Sequence, residues 1–253
     1  MYQPTDAPQS IGGVLDDGFR LYRASLPQVF LLVAVGVLAG QIPGLMVQSS
    51  GTVPSLSMSL LLSVLLSMLV SVLFYGAAIG RMHAVARQQA MSLGDALSFG
   101  ARRMLPLLAF SLLYGVIIAV GLLLLIVPGV LFGVSLMFGA YVVLLDGKGP
   151  VASLAISHNL VWGSWWRTLV IVSVGSVIMM AGYLLVGFAA GFAVAYGGEP
   201  GVLLTLIEFG LLPLLGALVG PLFYALMLAT YYDLKLRRSG ADLEQRLGTP
   251  AQA

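Results

Sequence analysis

Long apolar runs, separated by short polar segments, occupy most of the chain. A hydrocarbon core about 30 Å thick needs on the order of 20 apolar residues in a helix, so runs of this length predict membrane spans. The pattern therefore predicts an all-α polytopic membrane protein with six transmembrane helices. Their expected ranges are Val29–Val47, Met58–Gly80, Leu105–Val127, Val130–Leu145, Leu169–Tyr196 and Gly210–Tyr232.

Three segments that mix apolar and polar positions precede the odd-numbered spans. Their pattern predicts amphipathic helices in the plane of the inner interface, at Ile11–Ser25, Ser92–Met104 and Pro150–Trp166. The second segment opens with S-L-G-D, the pattern of a capping box. Faint similarity among the segments, as between IGGVLDDGFR and LGDALSFGAR, predicts a threefold internal repeat. The expected organisation is a polar segment 1–10, a membrane domain 11–235 with repeat-like units 11–80, 92–145 and 150–232, and a polar tail 236–253.

A V-P-G sequence at Val127–Gly129 separates spans three and four. Proline and glycine stop one helix and allow the chain to reverse. Because span four is short, this turn is expected to lie below the outer headgroups, on the opposite side of the membrane from the basic loops.

Span two carries a serine at every fourth position, a spacing that places these residues nearly in line on one helix face. Small residues at this spacing suit close packing between membrane helices. Glycine pairs with the same spacing occur in spans one, five and six. The expected packing residues are Ser59, Ser63, Ser67, Ser71, Gly36, Gly40, Gly187, Gly191, Gly216 and Gly220. A polar lining for a solute path is the open alternative for the serines, although no ionisable residue at mid-membrane supports it.

Charge patterning predicts the orientation of the chain. Only 9% of the residues are charged, whereas roughly a quarter are charged in soluble domains. Because Lys and Arg in short loops stay on the cytoplasmic side, both termini are expected in the cytoplasm. No basic residue precedes Arg20, so a cleaved signal peptide is not expected. All 12 basic residues fall on one face: Arg20, Arg23, Arg81, Arg87, Arg102, Arg103, Lys148, Arg167, Lys235, Arg237, Arg238 and Arg246.

The densest basic positions are candidates for contact with anionic lipid, because each Lys or Arg near a charged membrane surface contributes about 1 kcal/mol. They are Arg102, Arg103, Lys235, Arg237 and Arg238. Membrane lipids are the expected partners, and nucleic acid is not.

Residues for catalysis or metal binding are sparse. The chain has no cysteine, and neither His83 nor His158 has the spacing of a metal ligand set. His83 suits the end of a helix, and His158 lies among Trp162, Trp165 and Trp166, which are typical of an interfacial belt. Asp16, Asp17 and Asp146 have no evident partner set, and Glu208 is expected near the outer interface. No catalytic, cofactor or metal site is predicted.

Three motifs are topological rather than catalytic: I-V-P-G at Ile126–Gly129, D-G-K-G-P at Asp146–Pro150 and S-W-W-R at Ser164–Arg167. With the stretch IGGVLDDGFRLYRASLPQVF, they make the chain resemble the bacterial YciC-like membrane proteins and the related membrane domain attached to some glycerophosphodiester phosphodiesterases. The likeness covers most of residues 11–232. It implies a six-helix protein of the bacterial inner membrane without an assigned activity. The phosphodiesterase's soluble catalytic domain has no counterpart here, so its activity is not carried over.

These observations favour a non-catalytic inner-membrane protein with a structural or membrane-homeostasis role. A transporter or lipid-handling protein is the first alternative, and an enzyme acting on a lipid headgroup is the second. A cavity along the serines would favour transport, whereas a pocket shared by His158 and Asp146 would favour an enzyme. A protein partner and an oligomeric state are both open at this point.

Overall fold

The described part of the chain is helical and contains no strand. The structure, a computed structural model, describes residues 7–50, 57–195 and 200–248. It confirms the all-α polytopic class. The expected chain ends at 1–6 and 249–253, the outer-loop residues 51–56 and the expected end of span five at Tyr196 lie outside the described residues.

The helices of the described residues follow one another with short connections. They are α1 (Ile11–Ser50), α2 (Met58–Ala86), α3 (Leu93–Leu124), α4 (Ile126–Leu136), α5 (Gly139–Tyr141), α6 (Pro150–Val161), α7 (Trp165–Ala195), α8 (Pro200–Leu206) and α9 (Leu212–Gly248). A π-helical turn, Val142–Asp146, follows α5, and a second one, Ile207–Leu211, follows α8.

Six helical segments are long and apolar enough to cross a membrane, in agreement with the sequence pattern. They are Ile11–Val47, Met58–Ala86, Leu93–Leu124, Ile126–Asp146, Trp165–Phe192 and Leu204–Gly240. Several are longer than the expected spans because the helices continue into their polar flanks. Large apolar side chains cover the outside, including Leu123 at 88% exposed and Phe188 at 76%. Such a surface suits contact with lipid tails.

Two of the three expected surface helices are continuous with the spans that follow them. Segment 11–25 belongs to α1, which contains Pro27, and segment 92–104 belongs to α3, which contains Pro106. Proline removes one helical hydrogen bond, but membrane helices tolerate it because neighbouring groups satisfy the freed carbonyl. The third segment forms the separate helix α6, which ends before Trp162. The capping box at Ser92 and Asp95 is present as expected.

The core lies where α1, α2 and α9 meet the segment from Phe138 to Leu144. α1 packs along both α2 and α9, and α2 also packs on α3. Fully buried side chains from each part interlock there, among them Leu21, Ile79, Met82, Phe138, Leu144 and Leu226. This core holds residues 226–234 of α9 in a fixed position, and the ionisable residues described next lie next to it.

Candidate functional site around Asp233 of α9

The last membrane turn of α9 and the residues after it point toward three different neighbours. On one face, Tyr231 and Lys235 are four residues apart and therefore lie side by side on the helix. The Tyr231 hydroxyl donates to Asp146 Oδ2 at 2.7 Å, and Lys235 Nζ donates to Asp146 Oδ1 at 2.8 Å. Gly147 follows with a φ of 68°, a left-handed conformation that ends the π-helical turn. Both carboxylate oxygens of Asp146 are thus engaged by α9.

On a second face, Asp233 joins three segments of the chain. Its Oδ2 accepts hydrogen bonds from Arg167 Nη1 at 2.5 Å and from Arg237 Nε at 2.8 Å. The Gln9 carbonyl oxygen accepts from Nη2 of both arginines, and the Gln9 N–H donates to Asp233 Oδ1 at 2.7 Å. We call Gln9, Arg167, Asp233 and Arg237 the Asp233 clasp. Because the Asp233 side chain is only 4% exposed, the clasp replaces water around a buried charge.

Tyr231, Lys235 and the neighbouring Tyr232 also border an open cleft of about 770 Å³, which we call the polar cleft after the ionisable side chains that line it. His83 Nδ1 lies 2.5 Å from the Tyr232 hydroxyl, so α2 and α9 meet here through a side-chain hydrogen bond. Arg87, Asp146 and Lys235 line the same cleft. It therefore brings a histidine, a carboxylate and two cations together, and all of these ionisable groups except Arg87 make contacts that tie helices to one another.

A larger, mostly apolar groove lies on the other side of the clasp, with a volume of about 990 Å³. We call it the tryptophan groove, and its walls come from the first half of α4 and from the segment that joins α6 to the start of α7. Trp165 Nε1 donates to the Leu131 carbonyl oxygen at 3.3 Å, which fixes the start of α7 against α4. The lining residues are Ile126, Val127, Val130, Leu131, Trp162, Gly163, Ser164, Trp165, Trp166, Arg167, Leu169 and Arg237.

The expected turn at Val127–Gly129 is not where the chain reverses. The helix breaks at Leu125, and Val127–Gly129 belong to the first turn of α4. Proline is tolerated there because the first N–H groups of a helix have no partner within the helix.

The tryptophan groove also changes the expected position of these residues. The sequence places Val127 on the outer side and Arg167 and Arg237 on the inner side, yet all three line one groove. The α3–α4 hairpin packs on α6, and Ser157 on α6 donates to the Ser135 carbonyl oxygen on α4 at 2.8 Å. This lateral contact with α6 draws the hairpin toward the start of α7.

The serine residues of span two take different positions. Ser63 and Ser67 are 7% and 6% exposed, and their hydroxyls donate to carbonyl oxygens of their own helix, at Leu60 and Val64. Ser71 donates across to the Gly36 carbonyl oxygen of α1 at 3.0 Å. Ser59 is exposed near the start of α2. A cavity of about 310 Å³ adjoins Ser71, but Ser59, Ser63 and Ser67 do not line it.

The glycine pairs also differ in how closely they approach other helices. A Cβ at Gly36 would lie 3.2 Å from Phe74 Cβ, and one at Gly216 would lie 3.0 Å from the Tyr183 hydroxyl. Gly40 and Gly220 have neighbours at ordinary contact distance, Ser71 Oγ and Val33 Cγ1. A Cβ at Gly187 or Gly191 would meet no atom within 4 Å. In the described chain, the α7 pair therefore faces open space rather than another helix.

The expected lipid-contact residues also differ from one another. Arg102 and Arg238 are exposed, whereas Lys235 pairs with Asp146 and Arg237 pairs with Asp233. The Arg103 guanidinium lies so close over Gly147 that a Cβ there would be 2.7 Å from Nη2. Three of the five basic side chains therefore also hold the protein together.

The remaining ionisable residues are dispersed. His158 packs on Trp162 with 4.8 Å between the ring centroids, and Asp16 pairs with Arg20 on the exposed face of α1. Asp17 is buried, at 8% exposed, and the Glu208 carbonyl oxygen accepts a bond from Gln41. His158 and Asp146 do not line a common cavity among those described. Among the described residues, no group of three His, Asp or Glu side chains could hold a metal ion.

Asp233 is the residue of this candidate site that the sequence pattern did not indicate. A signal was present, because Asp233 is an acid within the basic end of the last helix, two residues before Lys235 and four before Arg237. Spacing of four residues predicts the Asp233–Arg237 pair. It does not predict Arg167 and Gln9, which are distant in sequence and meet Asp233 only in the folded chain.

Comparison with family models, with curated proteins and with solved structures finds no match for this chain. The resemblance to YciC-like membrane proteins thus stays a prediction from the sequence.

Proposed function

We propose that the chain is a non-catalytic, structural component of the bacterial inner membrane, akin to the YciC-like proteins, with both termini in the cytoplasm. The observation that carries this proposal is the Asp233 clasp. It uses the best-buried carboxylate of the inner face to join the N-terminal segment, α7 and α9. Asp146 and His83 are likewise engaged by α9. A catalytic centre instead needs a nucleophile or base that is aimed at a substrate.

The proposal predicts that Asp233 contributes to stability and not to turnover. Asp233→Asn leaves two guanidinium groups without their carboxylate, and removing one partner of a buried ion pair costs about 3 to 5 kcal/mol. Asp16→Asn is the matched control, because Asp16 is 59% exposed and an exposed pair contributes at most about 1 kcal/mol. Thermal unfolding in detergent should show a clear loss of stability for Asp233→Asn and little change for Asp16→Asn.

A second experiment tests whether the protein converts lipids. The wild-type protein is reconstituted in vesicles of phosphatidylethanolamine and phosphatidylglycerol, and the lipids are analysed by mass spectrometry over time. We expect no lipid product. A product that forms with the wild-type protein and disappears with Asp146→Asn would replace the structural proposal with a lipid-headgroup enzyme that uses the polar cleft.

A second candidate function is lipid handling, and the tryptophan groove favours it. A membrane protein with a structural role alone has no need of an apolar recess of about 990 Å³ that ends at two arginines. Transport of a solute along the serines has less support than lipid handling, since the hydroxyls of Ser63 and Ser67 bond to their own helix.

A further inference from the structure

We propose that the tryptophan groove binds one anionic phospholipid, with the phosphate at Arg167 and Arg237 and an acyl chain along the first half of α4. This inference goes beyond the structural role because it assigns a ligand and a binding site. It rests on three separate features of the groove, namely its apolar walls, its charge and its aromatic rim.

The walls of the groove suit an acyl chain. Ile126, Val127, Val130 and Leu131 form one side, and Leu169 lies on the other. The volume of about 990 Å³ lies at the upper end of the roughly 300 to 1,000 Å³ range of ligand pockets. Water in an apolar recess lacks hydrogen-bond partners, so in a bilayer this space is best filled by hydrocarbon.

The charge at the inner end of the groove suits a phosphate. Arg167 and Arg237 share one carboxylate, that of Asp233, so the described clasp carries one excess positive charge. The excess is partly shielded from water, because the Arg167 side chain is only 16% exposed. Guanidinium groups match the planar, multidentate geometry of phosphate oxygens, and an added anion would neutralise the excess.

The start of α7 adds to this preference. Gly163 and Ser164 line the groove immediately before α7 begins at Trp165. The first N–H groups of a helix carry a partial positive charge and favour anions. The helix terminus and the two guanidinium groups thus present positive charge to the same end of the recess.

The tryptophans place the groove at the depth of lipid headgroups. Trp162 and Trp166 are 61% and 75% exposed, and Trp165 is held by its bond to Leu131. Exposed tryptophan rings of membrane proteins concentrate at the boundary between headgroups and tails. A lipid whose phosphate lies at the arginines would therefore keep its tails in the hydrocarbon core.

Native mass spectrometry of the full-length protein with defined lipids tests this assignment. The detergent-solubilised protein is incubated with phosphatidylglycerol or with phosphatidylethanolamine, and the lipids retained on each chain are counted. We expect one retained phosphatidylglycerol, favoured over phosphatidylethanolamine by about tenfold. Both lipids carry the phosphate, but the ammonium of phosphatidylethanolamine would bring a further cation to a site that already holds excess positive charge. Equal retention of both lipids would refute an anion-selective site.

Two pairs of variants locate the lipid. Arg237→Gln removes one groove cation and should reduce phosphatidylglycerol retention about tenfold, whereas Arg238→Gln removes an exposed neighbouring charge outside the groove and should leave retention within about twofold. Equal losses in both variants would show general surface attraction and overturn the proposal.

Val127→Trp fills the groove while leaving the arginines intact, and its control is Val116→Trp on the exposed side of α3. We expect Val127→Trp to lose most of the retained lipid and Val116→Trp to keep it. Retention that survives Val127→Trp would place the lipid elsewhere and overturn the proposal.

Folding is checked separately by the thermal unfolding of each variant without added lipid. Val127 and Val116 are 68% and 62% exposed, so neither substitution disturbs the core. A failure of lipid binding would leave the result for Asp233→Asn unchanged, and the discovery of a lipid-converting activity would not remove the bound lipid. The inference and the proposed function therefore fail independently.

Discussion

At the scale of the residue, Gly100 shows how little space separates α2 from α3. A Cβ on Gly100 would lie 2.9 Å from the Ala77 backbone nitrogen and 3.3 Å from Ala77 Cβ. Backbone atoms cannot rotate away as the end of a side chain can, so an added methyl group must push the two helices apart. Gly187 is the contrasting case, since its face of α7 is open.

We predict that Gly100→Ala destabilises the protein and Gly187→Ala does not. Overpacking of a tight contact costs about 1 to 3 kcal/mol, whereas alanine in an open helical position favours the helix by up to about 1 kcal/mol over glycine. Unfolding in detergent, followed by circular dichroism, measures both variants against the wild-type protein. A destabilised Gly187→Ala variant would instead indicate that another chain covers this face of α7.

Residue spacing alone could not separate these glycines. The four-residue spacing places Gly36, Gly187 and Gly216 each on the same helix face as the glycine four residues later. Whether a neighbour lies against that face depends on where the other helices pack. Gly36 and Gly216 have close neighbours, and Gly187 has none within 4 Å. The close approach at Gly100 belongs to no such pair in the sequence.

At the scale of the element, the α3–α4 hairpin departs most from its expected position. A straight crossing would put its turn about 30 Å from the inner basic residues. In the structure, Leu131 on α4 accepts a hydrogen bond from Trp165, which is two residues from Arg167. Leu131 follows the turn residue Leu125 by only six positions, or about 9 Å of helix. The turn is therefore close to the start of α7.

We predict that Val127 and Trp166 can be crosslinked within one chain. The chain has no native cysteine, so Val127→Cys and Trp166→Cys introduce a single pair. A thiol crosslinker shorter than the roughly 30 Å hydrocarbon core should join them, since both line the tryptophan groove. The change in migration on a denaturing gel, after proteolysis between the two sites, reports the link.

The control pair combines Ser57→Cys with Trp166→Cys. Ser57 caps the start of α2 on the side that the sequence assigns to the outer face. This pair should not react with the same reagent. If the hairpin crosses the membrane straight, the Val127→Cys and Trp166→Cys pair will not be crosslinked. That result would show that the two sides of the tryptophan groove are not neighbours in the bilayer.

At the scale of the whole molecule, the distribution of charge predicts the orientation of the chain in the membrane. Transmembrane segments from Ile11–Val47 to Leu204–Gly240 are joined so that all 12 basic residues fall on the side of the expected cytoplasmic loops. This distribution does not depend on whether the α3–α4 hairpin crosses fully or returns, since both cases bring the chain back to the same side. Basic residues retained in the cytoplasm supply the physical reason.

We predict that both termini lie in the cytoplasm. A fluorescent reporter that folds only in the cytoplasm should be active when it is fused before residue 1 or after residue 253. Alkaline phosphatase, which needs the oxidising side, should be active when it is inserted within residues 51–56. Phosphatase activity at either terminus would contradict the orientation. Activity at one terminus alone would require an odd number of crossings, and activity at both would invert the predicted orientation.

By itself, the sequence determined the fold class, the six apolar segments and the capping box at Ser92, and it predicted the orientation. These properties depend on local hydrophobicity, spacing and charge, which can be evaluated without knowing which helices are neighbours. Only the tertiary structure decided the Asp233 clasp, the tryptophan groove and the open face at Gly187. Each of these depends on contacts between segments far apart in sequence, such as Gln9 with Arg237, and their formation depends on how the helices pack and tilt against one another.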